Sequence, residues 1–388
     1  MSSPGLRIGE GDGVGQPGRT GPDDTPGRVS LCCYLSSEEF GGMERILASL
    51  LEFLPPRFDV TLMGNSAEVL AELVRSRPVT DVVLMPMIRG KWDVVAIAAH
   101  VAALRRLRPD LLHASLGHLY QAQYTLFAAV VTGTPAVAVV HGVFPRTPRR
   151  SDGLLRWVMH RVRVAGVSNY VCQSIESEFR LPSGTADLLH NAVMDEVATS
   201  PPAVPDPDGR VVLGAVGRCA PEKGFDVLLR SLVAVPDCRL VILGDGEALT
   251  ELIRLARRLG VDDRVQFAGW VEPPWTSSWH FDILVAPSRA EGFGMAVVEA
   301  MQVGIPVLAS GVGGLAELID NGSTGILVPP EDPAALAAAI TALAGEPEER
   351  RAMAERARAV VAGRFGTQPM VRAYVDLFDD VLGRKARP

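Results

Sequence analysis

Short apolar runs alternate with amphipathic segments along almost the whole chain, from residue 28 to residue 382. Most runs are apolar at successive positions rather than at alternate ones, as in VSLCCYL at 29–35 and AVAVVH at 136–141. Continuous apolar strands followed by helices are typical of a parallel sheet that carries helices on both faces. The pattern therefore predicts an α/β fold made of doubly wound parallel sheets.

The alternation occurs in two series, separated by the proline-rich stretch SPPAVPDPD at 200–208. The first series predicts strands at 29–35, 58–63, 82–87, 111–116, 136–141 and 186–193, and helices at 42–53, 92–106, 119–131 and 153–163. The second predicts strands at 211–217, 239–244, 264–269, 283–288, 305–310 and 324–328, a turn and helix at 291–301, and helices at 224–234, 247–259, 313–320, 333–344, 347–362 and 367–382.

This organisation predicts two Rossmann-like domains joined by a short linker. We expect a disordered tail at 1–27, a first domain at 28–195, a linker at 196–209, a second domain at 210–366 and a C-terminal helical segment at 367–388. Ligands of such sheets bind outside the carboxyl ends of the strands, so the expected site is a cleft between the two domains.

Composition narrows the class of protein. The chain has 388 residues, 47% of them hydrophobic, and a net charge of −7, which argues against a nucleic-acid partner because such proteins need a basic face. Its five cysteines form no CxxC pair, and Cys32 and Cys33, inside an apolar strand, are expected to be buried thiols, which suggests a reducing compartment. Neither a signal peptide nor an apolar run of membrane-spanning length is evident, so a cytoplasmic protein is expected.

One familiar motif occurs in the wrong context. GVGQPG at 13–18 matches the dinucleotide fingerprint GxGxxG, but no strand precedes it and no helix follows it. We interpret it as part of a glycine-rich tail, which removes the main argument for a Rossmann oxidoreductase. HExxH, GxSxG and GxxxxGK[ST] are absent from the sequence, so it lacks the motifs that would indicate a metalloprotease, an esterase or a P-loop NTPase.

The stretch EGFGMAVVEAM at 291–301 is the strongest candidate site. It follows an apolar strand, turns at Gly292 and Gly294, and opens a helix whose first N–H groups form an anion site. Glu291 would lie in the loop and Glu299 about two turns into the helix, so both could border one ligand. The alternative is that one carboxylate caps the helix and the other is merely exposed.

A second candidate loop is GRCAPEKG at 217–224, which follows the first strand of the second series. Arg218 and Lys223 could hold a diphosphate there and stabilise it as a leaving group. The alternative is a pair of solvated surface cations.

Two further candidates follow strands of the first series. Gly41 and Gly42 begin the first helix, where close backbone approach to an anion is possible, although a simple strand-to-helix turn has the same composition. His141 ends an apolar strand at the expected cleft, although a single histidine is more often structural. His113 and His190 are weaker candidates.

The segment 146–163 contains six arginines among apolar residues and could lie on an anionic membrane surface. A packed helix with a solvated basic face is the favoured interpretation, since basic amphipathic patterns are non-specific. We therefore expect at most peripheral membrane contact.

Taken together, these motifs resemble the retaining glycosyltransferases of family 4, which have the GT-B architecture of two Rossmann-like domains. The resemblance covers most of residues 28–382. It rests on GGMER at 41–45, His141, VSNY at 167–170, HNAV at 190–193, GRCAPEKG at 217–224, EGFGMAVVEAM at 291–301, GVGGLAELI at 311–319 and GILVPPEDP at 325–333.

The resemblance implies a role for each candidate. Arg218 and Lys223 would hold the donor diphosphate, Gly42 would approach it from the first domain, and Glu299 would bind the ribose. His141 would contact the sugar near the reacting carbon. The donor-sugar and phosphate contacts would come from Glu291, Gly292 and the backbone at Phe293, Gly294 and Met295.

The same resemblance implies a nucleotide-diphosphate sugar as co-substrate, with uridine as the expected base, and no bound metal or other cofactor. The C-terminal helix would cross back onto the first domain. The acceptor stays open between a small natural product, a lipid-linked sugar and a glycan end, and the oligomeric state is not predicted. Alternative functions are a nucleotide-sugar 2-epimerase of similar shape and a non-catalytic nucleotide-sugar-binding partner protein.

Overall fold

The computed structural model describes residues 27–78, 80–142, 153–193, 206, 208–271, 275 and 280–383. The glycine motif at 13–18, the basic residues at 146–152 and most of the predicted linker lie outside these residues. The chain divides into two compact units. The first contains Met1–Val167, Val171–Leu189 and Met370–Pro388, and the second contains Ser168–Tyr170 and His190–Pro369.

The first unit is built on a seven-stranded parallel sheet in the order β3-β2-β1-β4-β5-β6-β7. Its strands are β1 (Val29–Leu35), β2 (Phe58–Gly64), β3 (Asp81–Leu84), β4 (Leu111–Leu116), β5 (Ala136–Val140), β6 (Arg163–Gly166) and β7 (Asp187–Leu188). Its helices are α1 (Gly42–Phe53), α2 (Ala67–Ser76), α3 (Val94–Leu107), α4 (Gln123–Thr132), α5 (Gly153–Met159) and, from Val171 onward, α6 (Asn169–Phe179).

The strand order determines which helices share a face of this sheet. The chain moves outward from β1 to β3 and then crosses to β4, and right-handed crossovers place α1 and α2 on one face and α3, α4 and α5 on the other. Tyr34 points toward α3, where its ring meets His100 at 5.6 Å. The C-terminal helix α13 (Thr367–Val381) covers the opposite face, since Tyr374 and Phe378 pack against His113 of β4.

His113 is an unusual core residue. It is 1% exposed, and both of its ring nitrogens are buried without a hydrogen-bond partner. Burial, with a smaller contribution from His141, lowers the pKa of His113 to about 3. The neutral imidazole therefore behaves as an apolar packing group beneath α13.

This burial predicts a loss of stability in acid. His113 takes up a proton below about pH 6.5 in the unfolded chain, but only below about pH 3 in the folded chain. Between these two pH values protonation favours the unfolded chain, so the free energy of unfolding falls as the pH falls. At pH 5 the cost is about 2 kcal/mol relative to neutral pH. Urea unfolding of wild type and His113→Leu at both pH values should show the variant losing less stability by that amount. Equal pH dependence in the two proteins would refute the assignment.

The second unit is built on a six-stranded parallel sheet in the order β10-β9-β8-β11-β12-β13. Its strands are β8 (Val211–Val216), β9 (Cys238–Leu243), β10 (Val265–Gly269), β11 (Ile283–Ala286), β12 (Val307–Ser310) and β13 (Ile326–Val328). Its helices are α7 (Phe225–Leu232), α8 (Leu249–Leu259), α9 (Met295–Gln302), α10 (Leu315–Leu318), α11 (Pro333–Gly345) and α12 (Pro347–Arg364). Its core lies between the sheet and the helices, around residues such as Leu228, Leu240 and Ile340.

Two parallel sheets of this kind confirm the predicted α/β class. Three elements were not predicted: α2, which has Ser66 as its N-cap, β6 and α6. Of the strand predicted at 186–193, only β7 belongs to the sheet, and the prediction was wrong for the residues after it. The apolar residues there are buried by packing and are not part of a strand. The turn and helix predicted at 291–301 are present, with the turn at 291–294 and α9 beginning at Met295, so Glu299 lies about one turn into the helix rather than two.

All five cysteines are buried and none of them forms a disulfide, which confirms the interpretation of Cys32 and Cys33 as buried thiols. Burial raises the pKa of Cys32 to about 12 and that of Cys219 to about 11, so these thiols stay protonated at neutral pH.

Among the residues that the structure describes, none of the helices has both the length and the hydrophobicity that are needed to cross a bilayer.

Candidate functional site

The loop 217–224 connects β8 to α7 and is held tightly against the end of β11. Gly224 has φ of 65°, a conformation that favours glycine, and a Cβ atom there would lie 2.0 Å from the carbonyl oxygen of Pro287. A side chain at this position would therefore force the two loops apart. The last turn before Gly224 is a short 3₁₀ helix, Pro221–Lys223, and the Lys223 side chain lies next to Gly217 at the start of the loop.

Both cations of this loop are paired with carboxylates. Arg218 donates from Nη2 to Oε1 of Glu222 at 2.5 Å, and its side chain is 52% exposed. Lys223 donates from Nζ to Oε2 of Glu291 at 2.7 Å, with side-chain exposures of 24% and 17%. The structure thus brings Lys223 and Glu291 together from loops that are far apart in sequence.

Arg289 connects the same two loops and was not identified from the sequence. Its guanidinium donates to the Pro221 carbonyl at 2.6 Å and forms a two-pronged pair with Asp226 at 2.7 and 2.9 Å. A further pair joins it to Glu331. These carboxylates raise the pKa of Arg289 above its usual value, so the arginine stays charged and holds the loop 217–224 in position.

The turn at Glu291–Gly294 is fixed by backbone contacts. The Gly314 N–H donates to the Glu291 carbonyl at 3.0 Å, and the Ser168 hydroxyl donates to the Gly292 carbonyl at 2.6 Å. A Cβ atom on Gly313 would lie 2.1 Å from the Glu291 carbonyl oxygen, and one on Gly314 would lie 2.5 Å from that of Gly292. Only glycines allow these two turns to interlock.

This interlocked turn leads directly into α9, with Gly294 at φ of 102° as its N-cap. The first N–H groups of a helix have no intrahelical acceptor and carry the positive end of its dipole, so they attract an anion. The N-terminus of α9 and the Lys223 ammonium thus supply positive charge beside the Glu291 carboxylate.

Phe293 and Met295 differ in what they offer to a ligand. The Phe293 side chain is 3% exposed and packs against the rings of His190 and Phe365 at 6.0 and 5.6 Å, so the residue can contribute only backbone atoms. Met295 is half-buried at the first position of α9. His190 has its pKa lowered by burial first and by Arg364 second, which is typical of a packing histidine.

Glu299 is buried in α9, at 8% exposed, and is not an idle surface acid. Its Oε2 accepts a hydrogen bond from the indole Nε1 of Trp275 at 2.8 Å. Trp275 is itself 5% exposed. No local pattern connects these two residues in the sequence, because an intervening strand and loop separate them.

A second carboxylate supports the site from α10. Glu317 accepts hydrogen bonds from the backbone N–H and the side-chain amide of Asn169, both at 2.9 Å, and from the Tyr170 N–H at 2.7 Å. It therefore holds the segment Ser168–Tyr170 that supplies the Ser168 hydroxyl to Gly292. Ser168, Asn169 and Tyr170 belong to the motif VSNY and Glu317 to GVGGLAELI, but only the structure shows that the two motifs are partners.

The first unit carries the remaining predicted residues, at the carboxyl edge of its own sheet. Gly41 and Gly42 begin α1, and the Gly41 N–H donates to the Glu44 carboxylate at 3.0 Å, so part of this helix start is capped internally. His141 follows β5, and its backbone N–H donates to the Leu116 carbonyl at 2.8 Å. Both positions border the ends of central strands.

Within the described residues, no group of three or more histidine, cysteine, aspartate or glutamate side chains is arranged to hold a metal ion.

Family models match almost the whole folded chain in two consecutive parts. Glycosyltransferase Family 4 matches residues 40–197, and Glycosyl transferases group 1 matches residues 198–360. The chain belongs to glycosyltransferase family 4. This confirms the resemblance drawn from its motifs.

Relatives of this family 4 glycosyltransferase carry out several transfers. Alpha-D-kanosaminyltransferase of Streptomyces kanamyceticus is 28% identical over 306 residues, which cover 71% of this chain and 79% of the relative. D-inositol 3-phosphate glycosyltransferase 2 of Catenulispora acidiphila is 37% identical over 187 residues, which cover 44% of this chain and 43% of the relative. The chain thus aligns with less than half of the second relative.

Solved structures confirm the GT-B fold of this family 4 glycosyltransferase. Anabaena Alr3699/HepE, in complex with UDP, superposes with a TM-score of 0.72 at 20% identity and covers 91% of this chain and 100% of its own. A glycosyltransferase from Rickettsia africae gives a TM-score of 0.75 at 18% identity and covers 92% and 100%.

Proposed function

We propose that this glycosyltransferase uses a nucleotide-diphosphate sugar, with uridine as the base, and transfers the sugar to an acceptor hydroxyl with retention of anomeric configuration. The observation that carries the proposal is the convergence of Lys223, Glu291 and the N-terminus of α9 at one edge of the second sheet. Positive charge suited to a diphosphate lies there beside a carboxylate suited to sugar hydroxyls. The complex of HepE with UDP supports the choice of base.

The chemistry follows from where charge develops. The bond between the anomeric carbon and the diphosphate oxygen breaks, and the acceptor oxygen forms its bond to the same face of that carbon. The hydroxyl proton passes to the departing phosphate oxygen. Arg218, Lys223 and the α9 N–H groups stabilise the diphosphate as it leaves, which lowers the barrier without a covalent enzyme intermediate.

The other residues bind and orient the donor in this proposal. One oxygen of Glu291 is held by Lys223, and its second oxygen is directed to hydroxyls of the donor sugar. The backbone at Gly292, Phe293, Gly294 and Met295 contacts the sugar and phosphates. Gly41, Gly42 and His141 of the first unit complete the proposed set, with His141 near the reacting carbon.

Glu299 is proposed to bind the ribose hydroxyls, and Trp275 to orient it for that role. Trp275→Phe keeps an aromatic ring but removes the indole N–H, so the Glu299 carboxylate loses one charge-assisted hydrogen bond. We expect the KM for the donor to rise about tenfold while kcat stays within about twofold. Calorimetric titration with UDP and 2′-deoxy-UDP should show wild type preferring UDP and the variant losing part of that preference. If the variant prefers UDP over 2′-deoxy-UDP as strongly as wild type does, Trp275 has no role in ribose binding.

A panel of UDP-, GDP- and ADP-sugars with small polyol, glycan and lipid-linked acceptors tests the function itself. Product linkage is read by NMR, and each reaction is run with and without a chelator. We expect one UDP-sugar to be consumed, an α-linked product from an α-linked donor, and no effect of the chelator. Inverted product or loss of activity with chelator would contradict the retaining or metal-independent assignment, and release of an altered sugar without acceptor would indicate an epimerase.

A further inference from the structure

The helices α3, α4 and α5 form a layer with an unusual composition on one face of the first sheet. The helix α3 packs against α4, and α4 packs against α5. Their sequences, VVAIAAHVAALRRL, QYTLFAAVVT and GLLRWVM, contain no aspartate or glutamate, although the chain has 45 acidic residues. The charged residues of these three helices are therefore all basic, although the chain as a whole has a net charge of −7.

Large apolar side chains on this layer face solvent. Trp92, just before α3, is 84% exposed, and Val95 in its first turn is 83% exposed. Because α3 is apolar nearly all round, burying one side against the sheet leaves the other side uncovered. The other exposed apolar residues on or next to the layer are Leu84, Met87, Val94, Val131, Leu154 and Trp157.

Cations border the exposed apolar residues. The Lys91 ammonium lies 5.2 Å from the Trp92 ring, and the Arg161 guanidinium lies 4.2 Å from the Trp157 ring. Arg105 and Arg106 are exposed at the end of α3. Asp93, which follows Trp92 in the chain, is engaged as the N-cap of α3 and accepts from the Ala96 and Arg89 N–H groups.

We propose that this face, the outer surface of α3 to α5 with Trp92, docks on an anionic lipid bilayer. Exposed tryptophan and aliphatic side chains suit the acyl–headgroup boundary, and the bordering cations complement anionic headgroups. A second copy of the chain fits less well, because a two-fold contact would set these cations against each other, and the three helices of the layer contain no acid to neutralise them. The inference goes beyond the proposed transferase function and does not depend on it.

Vesicle flotation of the full chain tests the proposal, with phosphatidylcholine–phosphatidylglycerol vesicles compared with pure phosphatidylcholine vesicles. Wild type should float with the anionic vesicles, and added salt should release it. Trp92→Ser with Val95→Ser should lower the partition coefficient about tenfold, since less apolar area enters the interface. Arg105→Gln with Arg106→Gln should lower it about 25-fold, at about fivefold for each lost cation near the surface.

Matched substitutions on the second unit are the control. Trp270→Ser, and Arg257→Gln with Arg351→Gln, alter residues that are also exposed but lie outside the face, and should leave flotation unchanged. Circular dichroism establishes that each variant is folded. Equal binding to both vesicle types, or equal losses in the control variants, would overturn the proposal. A concentration-dependent dimer in light scattering that Trp92→Ser with Val95→Ser abolishes would also overturn it, by assigning the face to self-association.

Discussion

Replacing Lys223 with alanine is expected to lower kcat about 10²- to 10³-fold while the protein stays folded. The Lys223 ammonium lies 2.7 Å from the Glu291 carboxylate and is partly buried, at 24% side-chain exposure. Removing it leaves the Glu291 charge without its partner at the place where the departing diphosphate gains charge. A preorganised cation at such a position contributes about 3–4 kcal/mol to the stabilisation of a transition state. The measurement is steady-state turnover with a saturating donor.

Two control variants test whether the effect depends on the charge of residue 223 and on its position. Lys223→Arg keeps the charge and should retain more activity than Lys223→Ala, although its planar fork fits a point contact less well. Arg257→Ala removes an exposed cation far along α8 and should leave kcat unchanged. A fall in kcat for Lys223→Ala with a matching fall in Tm would indicate a structural role, and near-normal turnover would remove Lys223 from the catalytic set.

Gly314→Ala is expected to destabilise the protein by about 2–3 kcal/mol and to raise the KM for the donor. Its Cβ would lie 2.5 Å from the Gly292 carbonyl oxygen and 2.7 Å from the Phe293 Cα, and backbone at such distances has to move. Gly314 has helical backbone angles of −61° and −25°, so alanine adds no torsional strain of its own. The effect therefore measures the contact between the two turns, and displacement of Gly292 should also loosen the start of α9.

Gly363→Ala is the matched control in the same unit. Gly363 lies in α12, and a Cβ there would meet no atom within 4 Å, so alanine should stabilise the protein by about 0.5–1 kcal/mol through its better helix propensity. Urea unfolding of both variants gives the two free energies. Similar small effects at the two positions would show that the turns at 291–294 and 312–315 do not interlock as described.

The sequence predicted the regular elements well where periodicity and apolar content agreed. The helix predicted at 42–53 is α1 with the same ends, and those predicted at 333–344 and 367–382 end within one residue of α11 and α13. The strand predicted at 186–193 is present only as β7, and the prediction was wrong at 189–193, because buried apolar residues outside a sheet have the same composition as a strand. It also missed α6, whose start is stabilised by Glu317, a residue that lies far away in sequence.

The candidate site could be predicted from the sequence only where the local context of a residue indicates its role. Glu291 and Glu299 stand beside glycines and apolar helix residues, so their local context alone indicates a binding turn. Arg289 and Trp275 had no such local signal. Their roles depend on contacts with Asp226, Pro221 and Glu299, and no spacing in the sequence predicts which side chains will meet.

By itself, the sequence determined the α/β class, the two parallel-sheet series, the family and the loops that carry charge and glycine. These properties are local or periodic, so they can be read from neighbouring residues. Only the tertiary structure decided that Lys223 pairs with Glu291, that Gly313 and Gly314 lock the turn before α9, and that Trp92 is exposed among the described residues. Each of these depends on which distant segments the fold brings into contact, and that is set by strand order and packing.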